Sequence, residues 1–309
     1  MKKNQLLLLG AVVVVLIAYL FTASNTDVAV NQLGDTVVTL SEMDPAKVAT
    51  ISVRKADKAV LSLLKKNNQW QFESEHTANA TKVEGLLENL ALLQAEKRRV
   101  NMDQLGTYGL GKDDVRTVLT VADETGKSLA AVALGKKGPD WGSAWSQREG
   151  KAEVLLVQEG AVGRLVDGEI KVTDWLNRQP AQFDTKTAAS LTLGGEAKGS
   201  FTRPAGLVDA GPLTWKSQAG ADADDSKVDG LLNTLSGLYI DGIAGDGNAT
   251  PVLELRVGFA AGERAIILGQ TAEKAFQILV GNLAYSLSDS TAKSLRNKAR
   301  DLVGMDKLD

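Results

Sequence analysis

The chain has 309 residues, a formal net charge of -3, one histidine and no cysteine. That balance offers no basic surface for nucleic acid, and the lack of thiols excludes disulfides, thiolate metal sites and cysteine nucleophiles. A single histidine likewise excludes His-based triads and multi-histidine metal clusters.

In chain order the first feature is Met1 to Ala23, which opens with Lys2 and Lys3 and runs uncharged from Leu6. About eighteen helical residues span roughly 27 Å, close to the thickness of a bilayer core. The alternative is a cleaved signal peptide, but a cut after Ala23 would place Phe21 at a position that favours small residues. The sequence therefore predicts an uncleaved signal anchor over 1–23. Lysines before the span and none just after it place the N-terminus in the cytoplasm and the bulk of the chain outside. Residues 24–44 read as a polar spacer in which Thr36 to Leu40 can pair as a strand.

Length suits two domains of about 130 residues, and the chain indeed contains one pattern twice. Trp70 is followed by Thr81-Lys-Val-Glu-Gly-Leu-Leu-Glu-Asn-Leu-Ala-Leu-Leu93, and Trp215 at the same distance by Ser226-Lys-Val-Asp-Gly-Leu-Leu-Asn-Thr-Leu-Ser-Gly-Leu238. A duplicated supersecondary unit explains this match. Each copy opens with alternation, Ile51 and Val53 in one and Leu191 and Leu193 in the other, as half-buried strands require. Lys55 to Lys58 and Lys65 to Asn68 read as turns between further strands. The helix that follows has Val83, Leu86, Leu87, Leu90 and Leu93 on one stripe, matched by Val228, Leu231, Leu232, Leu235 and Leu238. Thr81 with Glu84 forms a predicted capping box, and Ser226 with Asp229 a shorter one. Gly85 and Gly230, costly inside a helix, suggest a close approach of helix to sheet.

Beyond the helix, Leu119 and Val121 match Leu253 and Leu255, with Gly126 and Gly262 in hairpin turns. Val154 to Val157 and Ala284 to Leu287 read as third strands, and short helices are expected around Ala161 to Val166 and Thr291 to Leu295. The fold class expected is α+β: an N-terminal transmembrane helix, then tandem modules at 45–180 and 188–309, joined by a linker at 181–187. Each is a mostly antiparallel sheet with helices on one face.

Few constellations carry chemistry. Asp222 to Asp225 lacks the glycine and terminal glutamate of a calcium loop and reads as an acidic lead-in to a helix N-terminus. Gly135-Lys-Lys-Gly138 lacks the spacing of a phosphate loop and reads as a turn. Lys97-Arg-Arg99 reads as a solvated helix end, and His76, in a polar loop, as a surface histidine. Trp141 and Trp145 stand four apart on a Gly/Pro-flanked connection and either anchor a partner or glycan, or cover the core.

Trp70, the leucine helix, Thr107-Tyr-Gly-Leu110, Leu134-Gly135, the Trp145 to Val157 strand pair and Asp174-Trp-Leu-Asn-Arg178 together resemble the bacterial DUF4340 family. The resemblance covers about 45–180 well and 188–304 more faintly, where the second copy lacks a Tyr-Gly-Leu segment. It implies a single N-terminal anchor and, for some members, company with gliding-motility-type ABC transporter components; it implies no reaction. Any contact made through the Tyr-Gly-Leu segment would belong to the first copy alone.

The function expected is that of a non-catalytic accessory or scaffold protein in the inner membrane, single-pass, its bulk periplasmic. Its partners would be the membrane and an envelope protein, among which ABC transporter subunits are a candidate, with no nucleic acid and no cofactor or metal. Tyr108, Trp141 and Trp145 are the candidate contact residues. The alternatives are a periplasmic glycan- or peptide-binding module using the Trp141 to Trp145 loop, and a hydrolase built on paired carboxylates.

Overall fold

The computed structural model describes residues 37–308 except 99–101, 141, 159–161, 163–164, 166–168, 205–213 and 246–247. The predicted anchor, 1–23, lies outside these residues. Among those described, no helix is long and apolar enough to cross a membrane. Contacts gather the chain into two compact units, Gly85–Glu169 with Met1–Ala59, and Ile170–Asp309 with Val60–Glu84.

The first unit is an antiparallel sheet in the order β1 (Val37–Thr39), β5 (Gln94–Arg98), β9 (Val154–Val157), β8 (Ala144–Arg148), β7 (Ser128–Lys137), β6 (Thr117–Ala122), β2 (Thr50–Lys55). Alternation sorts its two faces. Ile51, Val53, Leu119, Val121, Val132 and Leu134 are buried on one face, whereas Val118 and Thr120 on the other are partly exposed. The inner face meets Leu86, Leu87 and Leu90, the stripe of α1 (Ala80–Leu92) that belongs to this unit. Burying a leucine contributes about 1.5–3 kcal/mol.

The second unit contains the hairpin β3 (Lys58–Lys66) and β4 (Gln69–Phe72), whose turn residues Asn67 and Asn68 both have positive φ, as asparagine tolerates. Its main sheet runs β12 (Lys216–Ser217), β11 (Gly199–Thr202), β10 (Ser190–Gly195), β14 (Thr250–Phe259), β15 (Gly262–Gln270), β16 (Phe276–Val280), β17 (Leu283–Leu287), β13 (Gly242–Ile243). Val228, Leu231, Leu232 and Leu235 of α3 (Asp225–Ser236) are buried, as are Ala292, Leu295 and Ala299 of α4 (Asp289–Leu302). A short turn of helix, α2 (Val172–Trp175), lies between the two stretches of sequence. The fold is thus α+β, its sheets antiparallel and its helices few.

Several local expectations change. The helix starts lie earlier than the capping boxes placed them: Asn79 Oδ1 accepts from Lys82 N at 3.0 Å, and Asp224 accepts from Ser226 N and Lys227 N. Asp229 instead accepts from Trp215 Nε1 at 3.0 Å. Gly85 and Gly230 mark no close approach, since a Cβ at either would meet nothing within 4 Å. The predicted solvated helix end at Lys97 is strand β5, and Gly135 to Lys137 continue β7 through a bulge instead of turning. The predicted short helix at Thr291 to Leu295 extends to fourteen residues behind a Ser288 cap.

His76 is buried, 6% exposed, not a surface residue. Its Nε2 lies 3.0 Å from Ala284 O, its Nδ1 2.9 Å from Ser74 Oγ, and its ring meets Tyr285 edge-on with centroids 4.8 Å apart. Burial pushes the Tyr285 phenol up to about 12. Around it, Asn79 N donates to Trp175 O and Lys82 Nζ stands 5.2 Å from the Trp175 ring, so residues 76–82 are built into the second unit.

Candidate functional site

The first unit's sheet carries one row of side chains across four strands. Arg54 pairs with Val118, Val118 with Ala133, and Ala133 with Gln147, all on the face opposite the leucine core. One end of that face is roofed by the 3-10 segment Met102–Tyr108 and the residues after it. Leu105, Tyr108, Leu110 and Trp145 pack there on Val118, Ala133 and Val154.

Glycines allow the roof to sit so low. Gly109 adopts φ +70°, a left-handed conformation that favours glycine. A Cβ on Gly135 would run into the carbonyl of Tyr108 and come within 3.0 Å of Leu110 Cγ. Lys136 Nζ then ties the roof down by donating to Gly106 O at 3.0 Å. The matching glycine of the second unit, Gly269, is crossed by Ala249 in the same way, with 2.7 Å left for a Cβ.

Two of the three predicted contact residues therefore come together. Tyr108 and Trp145 meet edge to face, centroids 4.7 Å apart, both partly buried. Such a pair contributes about 0.5–1.5 kcal/mol beyond its buried area. Trp141 lies outside the described residues.

Past the roof the same face opens into a cleft of about 580 Å³, lined among others by Arg54, Lys112, Arg116, Thr120, Gln147 and Lys151. Arg54 is paired with Asp57 at 3.8 Å, and Asp114 accepts from Gly111 N at 2.7 Å, which fixes the turn carrying Lys112. Sequence reasoning missed these cations. They come from a turn, a strand approach and a loop with no shared period, and the one available signal was the alternation that sends Arg54 and Val118 to the outer face.

A second charged group ties the β1 end of the sheet. Glu153, 18% exposed in its side chain, accepts from Arg148 Nε at 2.7 Å and stands 3.1 Å from Lys97 Nζ. Arg148 also reaches Thr39 O at 3.4 Å. Burial alone would raise the Glu153 carboxyl, but hydrogen bonds from Arg148 and Lys97 outweigh it and hold the pKa below the usual glutamate value. A carboxyl depressed on folding adds stability above its unfolded pKa and loses it as pH falls through the folded one. We expect the wild type to lose the stability this group contributes as pH falls from neutral through its depressed folded-state pKa. Glu153→Gln should already lack that increment at neutral pH and show a flatter acid limb in urea titrations. An acid limb equally steep in the variant would refute the assignment.

Among the described residues no group of three His, Cys, Asp or Glu side chains is placed to hold a metal ion. Comparison with known families gives one match: the domain of unknown function DUF4340 fits residues 70–255. The chain belongs to the DUF4340 family. The stretch matching DUF4340 begins at Trp70 in β4, takes in α1, the Tyr108–Leu110 roof and Gly135, and ends at Leu255 in β14. No curated protein and no solved structure matches this DUF4340 chain.

Proposed function

We propose that this DUF4340 protein is a non-catalytic adaptor, tethered to the cytoplasmic membrane by residues 1–23 and exposed outside the cell's inner compartment. In this reading it consists of two copies of one module. The strand order supports the duplication: β5-β9-β8-β7-β6-β2 in the first unit corresponds strand for strand to β13-β17-β16-β15-β14-β10 in the second. Paired Trp70 and Trp215, and paired Gly135 and Gly269, occupy corresponding places in the two.

The observation that carries the adaptor reading is the edge of β1. Among the described residues β1 has one strand neighbour, β5, and of its outer backbone groups the Thr39 carbonyl already accepts from Arg148, which leaves the Val37 end of the edge for pairing. Val37 on that strand is 45% exposed, and Leu92, next to the Leu93 carbonyl that accepts from Leu40 N, is 77% exposed. An open edge flanked by apolar side chains suits strand addition by a partner protein. It also follows the proposed tether after a short spacer, which suits a membrane-bound partner such as a subunit of an ABC-type transporter. The glycan alternative gains less support, because the Trp145 ring is already packed against Tyr108.

A photo-crosslinking residue at position 37 in intact cells should capture one integral membrane protein, and the same probe at exposed Tyr239 should not. Equal capture from both positions, or none from position 37, would reject the adaptor reading.

A further inference from the structure

We propose that the cleft on the outer face of the first unit binds a phosphate-bearing small molecule through Lys112, Arg116 and Lys151. Five other basic side chains of this unit are held in ion pairs. Lys47, Lys97, Arg98 and Arg148 each have a carboxylate within 4 Å, and Arg54 has Asp57. Lys112, Arg116 and Lys151 have no such partner among the described residues, yet they line one cleft in a chain whose net charge is -3. With Arg54 they set four cations against the three carboxylates of the lining, Asp57, Asp114 and Glu149, so the cleft is net positive in an acidic chain, a balance that favours an anionic ligand.

The arrangement also selects the anion. The three cations come from three separate segments, the turn after Gly111, the approach to β6 and the loop between β8 and β9. Point charges arriving from several sides suit a dianion with three terminal oxygens better than a flat carboxylate, which pairs best with one guanidinium fork. Beside them Val118 and Ala133 form an apolar floor, and Thr120 and Gln147 supply hydrogen-bonding groups for a hydroxylated body. A volume of about 580 Å³ falls in the range of small-molecule sites. All three carboxylates of the cleft keep their charge and oppose the ligand; Asp57 is offset by Arg54, Asp114 holds the Gly111 turn, and Glu149 has neither role. This site is independent of partner docking at β1.

The test uses the full chain in detergent and titration calorimetry with glucose 6-phosphate, with water-soluble dihexanoyl phosphatidic acid, and with glucose as the uncharged control. Arg116→Gln should weaken phosphate binding about tenfold, and the triple change Lys112→Gln, Arg116→Gln, Lys151→Gln should abolish it. Glu149→Gln should tighten it about threefold by removing a repulsion. These changes are on the surface, and unfolding curves will show that the variants stay folded. Binding of glucose 6-phosphate that follows this order supports a free phosphorylated ligand; binding of the phosphatidic acid alone in this order supports a lipid headgroup. Binding of neither probe, equal binding of glucose, or equal affinity in the triple variant would overturn the proposal.

Discussion

Gly135→Ala should cost the protein about 2–4 kcal/mol, a large penalty for one methyl group. The added carbon meets the Tyr108 carbonyl, and the Gly109 carbonyl carbon stands 3.1 Å away, so backbone and not a flexible side chain must yield. The roof over Val118 and Ala133 would lift, separating Tyr108 from Trp145. Denaturant unfolding of the full chain measures this cost directly. Gly85→Ala is the matched control: its Cβ meets nothing within 4 Å on a helix interior, so it should stabilise by about 0.5–1 kcal/mol. Opposite signs at the two glycines are the expected result, and a neutral Gly135→Ala would show that the roof does not need its close seat.

The second large effect is expected at Trp215, which is fully buried. Its Nε1 donates to Asp229 Oδ1 at 3.0 Å, and Arg203 lies 4.6 Å above its ring. Arg203 in turn donates to the carbonyls of Ala188 at 2.6 Å, Thr185 at 2.7 Å and Lys186 at 3.0 Å, so the ring supports the clamp that holds the segment before β10. Trp215→Ala removes the apolar volume and the platform together and should cost about 3–5 kcal/mol. Trp215→Phe keeps much of the volume and loses the N–H donor, for about 1–2 kcal/mol. A Trp215→Ala midpoint in urea within error of wild type would contradict the packing described for this ring.

What could be read from the sequence follows the range of the force that fixes each element. The leucine stripes of α1 and α3 were legible because burial on a helix imposes a period of its own. So were the β6–β7 and β14–β15 hairpins, whose alternation and turn glycines are local. The helix caps were misplaced because Asn79 and Asp224, two residues upstream, supply the oxygens that accept from the first free amides. Strand β5 was hidden by its composition, Gln-Ala-Glu-Lys-Arg, since it is held by pairing with β9 and by Lys97 on Glu153. Of the candidate site, Tyr108 and Trp145 were each named as contact residues, and the structure packs the two rings on one another. The cleft beside them was not, because its cations converge only once the sheet has brought four strands into register.

Residues 60–84 have a consequence for the order in which the protein can be completed. A ribosome releases His76 well before the Ala284 carbonyl that its ring nitrogen meets, a separation of 208 positions. Until the last strands are made, His76 lacks both the carbonyl and the Tyr285 ring that cover it. A chain stopped after Arg178 would therefore be more than a protein missing its second half; it would uncover an imidazole that the finished protein keeps from water.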